Sequence, residues 1–220
     1  MKLTIVAATG GIGRQLLQQA LAAGHDVTAV VRNPAKLAAE VPAVTVDLAS
    51  PDPAALEPAL AGADAVLSGL GPTARASRPV AAPGTEAVIT AMAAAGVRRI
   101  VVVSAAPVGT VPVPGHPAPR RDPGDGIVMR TVLTPMIKTI LRATYADLAL
   151  MEDALRRGGL DWTVVRPPRL TDGPLTASYR TEYGQNIRGG FRISRADVAH
   201  LMLQALDRPE TVGQVIGIAN

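Results

Sequence analysis

A glycine cluster near the N-terminus constrains this chain more than any other feature. Lys2–Ala7 is a short apolar run with the character of a strand, and Ala7-Ala8-Thr9-Gly10-Gly11-Ile12-Gly13 follows at once. Ile12–Ala23 then places apolar residues at Ile12, Leu16, Leu17, Ala20 and Leu21, which is helical spacing, and Gly24 stops the helix. A strand running through a glycine turn into a helix makes an anion cradle. Gly10 lets backbone approach a pyrophosphate, and Gly13 lets the helix pack close to the strand. The first free N–H groups and the positive dipole end of the helix then face the phosphates. Thr9, Gly10, Gly11, Ile12 and Gly13 are the candidate dinucleotide-binding residues of this turn.

The rest of the chain repeats the alternation of strand and helix. Asp26–Val31, Ala43–Val46, Ala63–Leu67, Arg99–Val103, Asp161–Val165 and Gln214–Ile218 read as strands. Pro53–Leu60, Ala81–Ala95, Thr144–Arg157 and Ser194–Leu206 read as helices, the second closed by Gly96. Strands apolar at consecutive positions, such as Ile100–Val103, are those of a parallel sheet covered on both faces. The expected fold is α/β, a doubly wound parallel sheet of the Rossmann kind, with residues 1–220 forming a single domain. Two capping boxes are expected, Thr144 with Asp147 and Ser194 with Asp197. Leu148, Met151 and Leu155 line the apolar face of the first of these helices, and Glu152 and Asp153 read as its solvated side. Residues 105–126 interrupt the rhythm with six prolines and four glycines, a density in which no helix or strand is expected. They read as a long ligand-carrying surface loop, mobile without substrate. A small substrate-side region is expected at about residues 167–193, where Tyr179 and Tyr183 close over a ring substrate or lie on an exposed edge strand.

Composition narrows the chemistry. There is no cysteine among the 220 residues, which excludes disulfides, thiolate metal sites and a cysteine nucleophile. His25, His116 and His200 lack metal-ligand spacing, so no metal is expected. His200 lies off the core face of its helix and reads as solvent-exposed. No apolar run approaches the ~20 residues of a membrane span, and the N-terminus does not read as a signal peptide, so a cytoplasmic protein without membrane association is expected. Of 22 basic residues three are Lys (Lys2, Lys36 and Lys138), leaving 19 Arg, against 18 acidic residues, for a net charge of +4. The arginines are dispersed and only five aromatics are present, so nucleic acid is not an expected partner while small anionic molecules are. Ser68 and Ser104 lack the G-x-S-x-G surroundings of a hydrolase nucleophile.

The end of the second strand decides the cofactor. An acid there would hold the adenosine ribose hydroxyls, but Val30-Val31-Arg32-Asn33 places a guanidinium nineteen residues after Gly13. Arg32 suits a 2′-phosphate, with Lys36 as a weaker helper, and the reading is NADP(H).

The chain resembles the atypical short-chain dehydrogenase/reductase proteins, in particular the biliverdin reductase B/flavin reductase-like and NmrA-like branches. The resemblance spans nearly the whole chain. It rests on A-A-T-G-G-I-G (7–13), V-V-R-N (30–33), V-D-L (46–48), L-S-G-L-G (67–71), V-V-V-S-A (101–105), L-D-W-T-V-V-R-P-P-R-L-T-D-G-P-L-T (160–176) and I-S-R-A-D-V-A (193–199). It implies that Asp47, followed by Leu48, meets the adenine amine. It also implies that Gly69, Leu70 and Gly71 run under the cofactor, that Ser104 stands beside the nicotinamide, and that Pro167–Leu170 caps it from the other side.

Two positions depart from the family pattern. Its first glycine is Ala7 here, tolerable if the turn does not need positive φ. The Tyr-x-x-x-Lys pair is absent, since Ala149 follows Tyr145 by four residues and the helix 144–157 holds no lysine. Without that tuned acid, alcohol chemistry is disfavoured. The expected activity is hydride transfer from NADPH to a flavin, quinone or similar conjugated acceptor, with Ser104 orienting the nicotinamide or acceptor and Arg169 drawing its anionic groups. The alternative is a non-catalytic NADP(H)-binding regulator of the NmrA-like type. A sugar-nucleotide epimerase would carry a larger C-terminal domain and the Tyr-Lys pair. The expected assembly is a monomer or homodimer.

Overall fold

The computed structural model describes residues 1–71, 78–115, 122–124 and 141–220. Part of the proline-rich segment, residues 116–121 and 125–126 with His116, lies outside the described residues.

The chain starts as β1 (Lys2–Val6), α1 (Gly11–Ala22), β2 (Asp26–Val31) and β3 (Ala43–Thr45), all on one side of the sheet. It then crosses to the other side of β1 and continues outward as β4 (Ala65–Ser68), β5 (Arg99–Val103) and β6 (Asp161–Arg166). Between these strands lie α2 (Glu57–Leu60), α3 (Ala81–Ala95) and α4 (Arg142–Arg157). Two short strands, β7 (Arg169–Thr171) and β9 (Arg192–Ser194), pair in parallel away from the main sheet. β8 (Arg180–Tyr183) precedes β9, and α5 (Arg195–Gln204) and β10 (Gln214–Ala219) follow it. The sheet order is β3-β2-β1-β4-β5-β6-β10-β8. Every pairing is parallel except β10 with β8. The expected doubly wound sheet is therefore what forms, with its switch point between β1 and β4. Ligands of such sheets bind in the crevice beyond the carboxyl ends of the strands at that point.

Two apolar layers hold the sheet. Leu3 and Ile5 of β1 face α1 and α5 together with Leu16, Leu17, Val198 and Met202. Val6 faces the opposite layer, with Val88, Met92, Leu148, Met151 and Leu155 from α3 and α4. Alternate residues of one strand thus feed both layers. No helix among the described residues is long and apolar enough to cross a membrane.

Local expectations fared unevenly. α3 and β5 occupy the expected spans, and Gly96 closes α3 in the left-handed conformation. The Ser194–Asp197 capping box forms, Ser194 Oγ accepting from the Asp197 N–H at 2.9 Å. The Thr144–Asp147 box does not. α4 begins at Arg142 without a side-chain cap. Asp147 turns instead to α3, its carboxylate accepting from the N–H groups of Val80, Ala81 and Ala82, each at 2.9 Å. Three free donors of another helix outcompete one N–H of its own. The proline-rich segment also departs from expectation, since Ala106–Thr110 forms a 3-10 turn. Val108 there is buried, and Val111 and Val113 pack against the same layer. Tertiary burial orders this stretch despite its prolines. Tyr183 lies exposed on the edge strand β8. His200 is half-buried rather than free, its Nδ1 within 2.7 Å of the Tyr179 hydroxyl.

Candidate functional site

The residues following β1 and β4 meet at the switch point. Gly10 caps α1 with no side-chain hydrogen bond, and the first turn of α1 carries no acid, so its leading N–H groups have no side-chain partner. Gly10 N–H donates to the Ala7 carbonyl at 2.8 Å, and Ala7 N–H to the Val30 carbonyl at 2.9 Å, tying the turn to β2. A Cβ on Gly13 would overlap the Ala7 carbonyl oxygen and stand 2.8 Å from its carbon. A Cβ on Gly69 would lie 2.9 Å from the Gly13 nitrogen. These two glycines let β1, α1 and the β4 turn close on one another, and nothing larger fits. One departure carries strain. Ala7 has φ of 58°, so the turn does require the left-handed conformation that its family position fills with glycine. For an alanine this costs about 1 kcal/mol.

The other predicted cofactor residues fall along the same edge, in two kinds. Arg32 follows β2, is exposed, and pairs with no described residue; Lys36, in the next turn, is likewise free. Asp47 follows β3 and is exposed, with Oδ1 accepting from the Ala49 N–H at 3.2 Å and Oδ2 left open. Thr9 is half-buried, its carbonyl accepting from Arg14 Nε at 3.0 Å. Gly69 and Gly71 are half-buried beyond β4. By contrast, the side chains of Ile12, Leu48 and Leu70 belong to the core. Leu48 and Leu70 close against α3, where a Cβ on Gly84 would meet Leu70 at 2.6 Å and Leu48 at 3.1 Å. Their side chains shape the floor and leave only backbone to a ligand. Pro167 is buried, its carbonyl accepting from Ala106 N–H at 2.9 Å. Arg169 opens β7 with an exposed side chain that pairs with no described residue.

Ser104 ends β5 in a setting the sequence reading missed. Its hydroxyl donates to Glu152 Oε1 at 2.7 Å. The same carboxylate takes Arg166 Nε at 2.8 Å and Nη2 at 2.5 Å in a fork, and Arg156 Nη2 at 2.9 Å. Glu152 is 1% exposed and Arg166 8% exposed. The expectation that Glu152 and Asp153 lie on a solvated face is therefore overturned, for Asp153 too is buried, against Arg157. The signal was present in the spacing. Glu152 stands four residues after Leu148 and three before Leu155, on the apolar stripe itself. A carboxylate can occupy that stripe because Arg166, at the end of β6, faces it. Arg156 also lies over the Trp162 ring, 5.9 Å from its centre. Arg166 Nη1 and Asp122 Oδ2 both crowd the space above Gly109.

Tyr145 lies one turn before Leu148 and is buried. Desolvation raises its phenol above the ordinary pKa. A second missed residue is Arg195, first in α5. Its side chain crosses the α1 N-terminus, with Nε 2.6 Å from where a Cβ on Gly11 would sit. Its Nη1 bonds Asp172 Oδ1 at 2.6 Å.

Comparisons with known proteins agree with this architecture. The uncharacterized protein YwnB of Bacillus subtilis (strain 168) is 29% identical over 228 residues, covering 96% of this chain and 94% of YwnB. SP1627 of Streptococcus pneumoniae TIGR4, a candidate NADH-flavin reductase, matches with TM-score 0.73 and 25% identity, over 100% of this chain and 99% of that one. ChuY, an anaerobilin reductase from Escherichia coli O157:H7, shares the fold at TM-score 0.77 and 22% identity, over 100% and 97%. A family model described as NAD(P)H-binding matches residues 7–209, which begin in the glycine turn and run through every strand-end residue described above. The uncapped α1 N-terminus and the glycine-closed switch point suit a dinucleotide phosphate, and the chain belongs to the NAD(P)H-binding family.

Proposed function

We propose that the protein is an NADPH-dependent reductase that passes hydride to a flat conjugated acceptor of the flavin or quinone class. The observation that carries this reading is the state of the two hydroxyls that could serve as acids, Tyr145 and Ser104. Tyr145 is buried, its pKa is raised, and no lysine stands one turn away to lower it. Ser104 has committed its proton to Glu152. An acceptor that delocalises the incoming charge needs no protein acid, whereas a developing alkoxide does.

NADPH supplies the hydride when bound. The chain's own residues bind and orient. Gly10, Gly11 and Gly13 open the α1 N-terminus to the pyrophosphate, and Arg32 with Lys36 takes the 2′-phosphate. Ser104, its hydroxyl hydrogen held by Glu152, presents lone pairs and so accepts a hydrogen bond from the nicotinamide carboxamide. The Glu152–Arg166 fork fixes the Ser104 rotamer. Arg169 draws an anionic group of the acceptor. The names of SP1627 and ChuY favour the same class of acceptor. Within the family the reading is the flavin reductase-like branch.

Stopped-flow mixing of the NADPH-loaded protein with FMN, or with a soluble quinone, tests this. Rapid loss of absorbance at 340 nm is expected. Tight NADPH binding with no oxidation by either acceptor class would overturn the reductase reading in favour of the NmrA-like, non-catalytic one.

A further inference from the structure

α5 packs along α1, and the side chain of its first residue, Arg195, reaches the N-terminus of α1, where the pyrophosphate is expected. Gln19 Nε2 of α1 donates to the Ala196 carbonyl at 2.9 Å, and Leu16 and Leu17 share a core with Val198 and Met202. The first residue of α5 adds a full charge. A cation at the start of a helix is placed against the helix dipole, so Arg195 is costly for the stability of α5. Its stem fills the space that the missing Gly11 side chain leaves open.

The acids nearby do not cancel this charge. Asp197 is fully buried and accepts four hydrogen bonds, from the N–H groups of Thr176 and Ala177 and the hydroxyls of Thr176 and Ser194. It is spent on holding the 176–178 segment. Asp172, the one acid among the described residues that pairs with Arg195, is itself 92% exposed at its side chain. The first turn of α1 contributes no acid, and Arg14 adds a further exposed cation whose Nε is turned back to the Thr9 carbonyl. The Arg195 side chain keeps 28% of its surface open.

We propose that Arg195 is a pyrophosphate ligand of the dinucleotide site. Asp172 holds its guanidinium across Gly11, so that a bound dinucleotide meets it beside the free N–H groups of α1. Gly11 is then glycine to admit the arginine, a different reason from that for Gly13. The inference rests on the dinucleotide reading above and adds a contact from the far end of the chain. It also makes a distinction. The pyrophosphate is common to NADPH and NADH, so Arg195 serves both, whereas Arg32 serves only the 2′-phosphate.

Titration calorimetry with NADPH and with NADH on wild type, Arg195→Met and Arg195→Lys tests the assignment. Met keeps the stem over Gly11 and loses the charge. It should weaken both dinucleotides equally, by about 10-fold or more, and Lys should recover part of the loss. Unchanged or tighter binding by the Met variant, or a loss confined to NADPH, would overturn the role of Arg195 while leaving the cofactor reading intact. Wild-type protein that binds neither dinucleotide would overturn both. A measurement on wild type covers the case of a variant that does not fold. Saturating NADH should protect Arg195 from phenylglyoxal, read by peptide mass. Undiminished modification would refute the contact.

Discussion

Replacing Glu152 by Gln removes one charge at constant size from the most enclosed ionic cluster described in the protein. The carboxylate accepts four hydrogen bonds, three from guanidinium groups and one from Ser104. The amide keeps one acceptor oxygen and turns an N–H₂ toward donors. The Arg156 arm, whose side chain is 43% exposed, is worth under about 1 kcal/mol. The Arg166 arm is enclosed on both sides, at 9% and 1% side-chain exposure, and breaking such a pair costs about 3–5 kcal/mol through the uncompensated charge left behind. Asp122, close to Arg166 over Gly109, moderates that loss, so about 3 kcal/mol is expected. Urea unfolding at unchanged m-value would report it as a lower midpoint. Because the cost is that of an orphaned charge, Glu152→Gln combined with Arg166→Met should recover about half of it. Ser104 also loses its anchor, and flavin reduction should slow by about 10-fold, the scale of one neutral hydrogen bond. A Glu152→Gln loss below about 1 kcal/mol, or a double variant as unstable as the sum of its singles, would refute the reasoning.

Three further outcomes are expected. Arg32→Ala should weaken NADPH by about 10- to 100-fold, the value of one charged phosphate contact, and leave NADH nearly unchanged in the same titration; equal losses would remove the 2′-phosphate assignment. Asp147→Ala orphans the N–H groups of Val80, Ala81 and Ala82 and should cost about 3 kcal/mol, with hydrogen exchange rising first at the start of α3; a loss typical of an exposed site would show that water replaces the cap. Burial pushes the Asp197 carboxyl up, but hydrogen bonds from Thr176, Ser194 and Ala177 outweigh it and hold the group below its ordinary range. A depressed folded-state pKa stabilises above the unfolded value, about 3.9, and that stability is lost as pH falls toward the folded one. Wild-type unfolding midpoints should therefore drop more steeply below about pH 4 than those of Asp197→Asn, and parallel curves would contradict the assignment.

Local pattern alone determined a good deal of this protein. The glycine turn between β1 and α1, the span of α3 with its Gly96 stop, the Ser194–Asp197 cap and the unbroken apolar strands all depend on residues within a few positions of one another. That is the range over which dihedral preference and side-chain period act. The places of Arg32 and Asp47, just beyond the ends of β2 and β3, were legible for the same reason. Tertiary structure decided the rest. Asp147 follows Thr144 as a cap partner should, yet Asp147 serves α3, because the start of that helix arrives with three empty donors. Glu152 reads as a surface acid until Arg166, fourteen residues away, is folded against it, and the Ser104 hydroxyl then donates to that carboxylate. Ala7 gives no sign of its left-handed φ until the turn closes on β2. Arg195 lies 184 residues from Gly11, and only the packing of α5 on α1 brings its charge to the glycine turn. A hydrogen-bond donor or a charge takes whichever partner the fold presents, and in each of these cases that partner comes from another element of the chain.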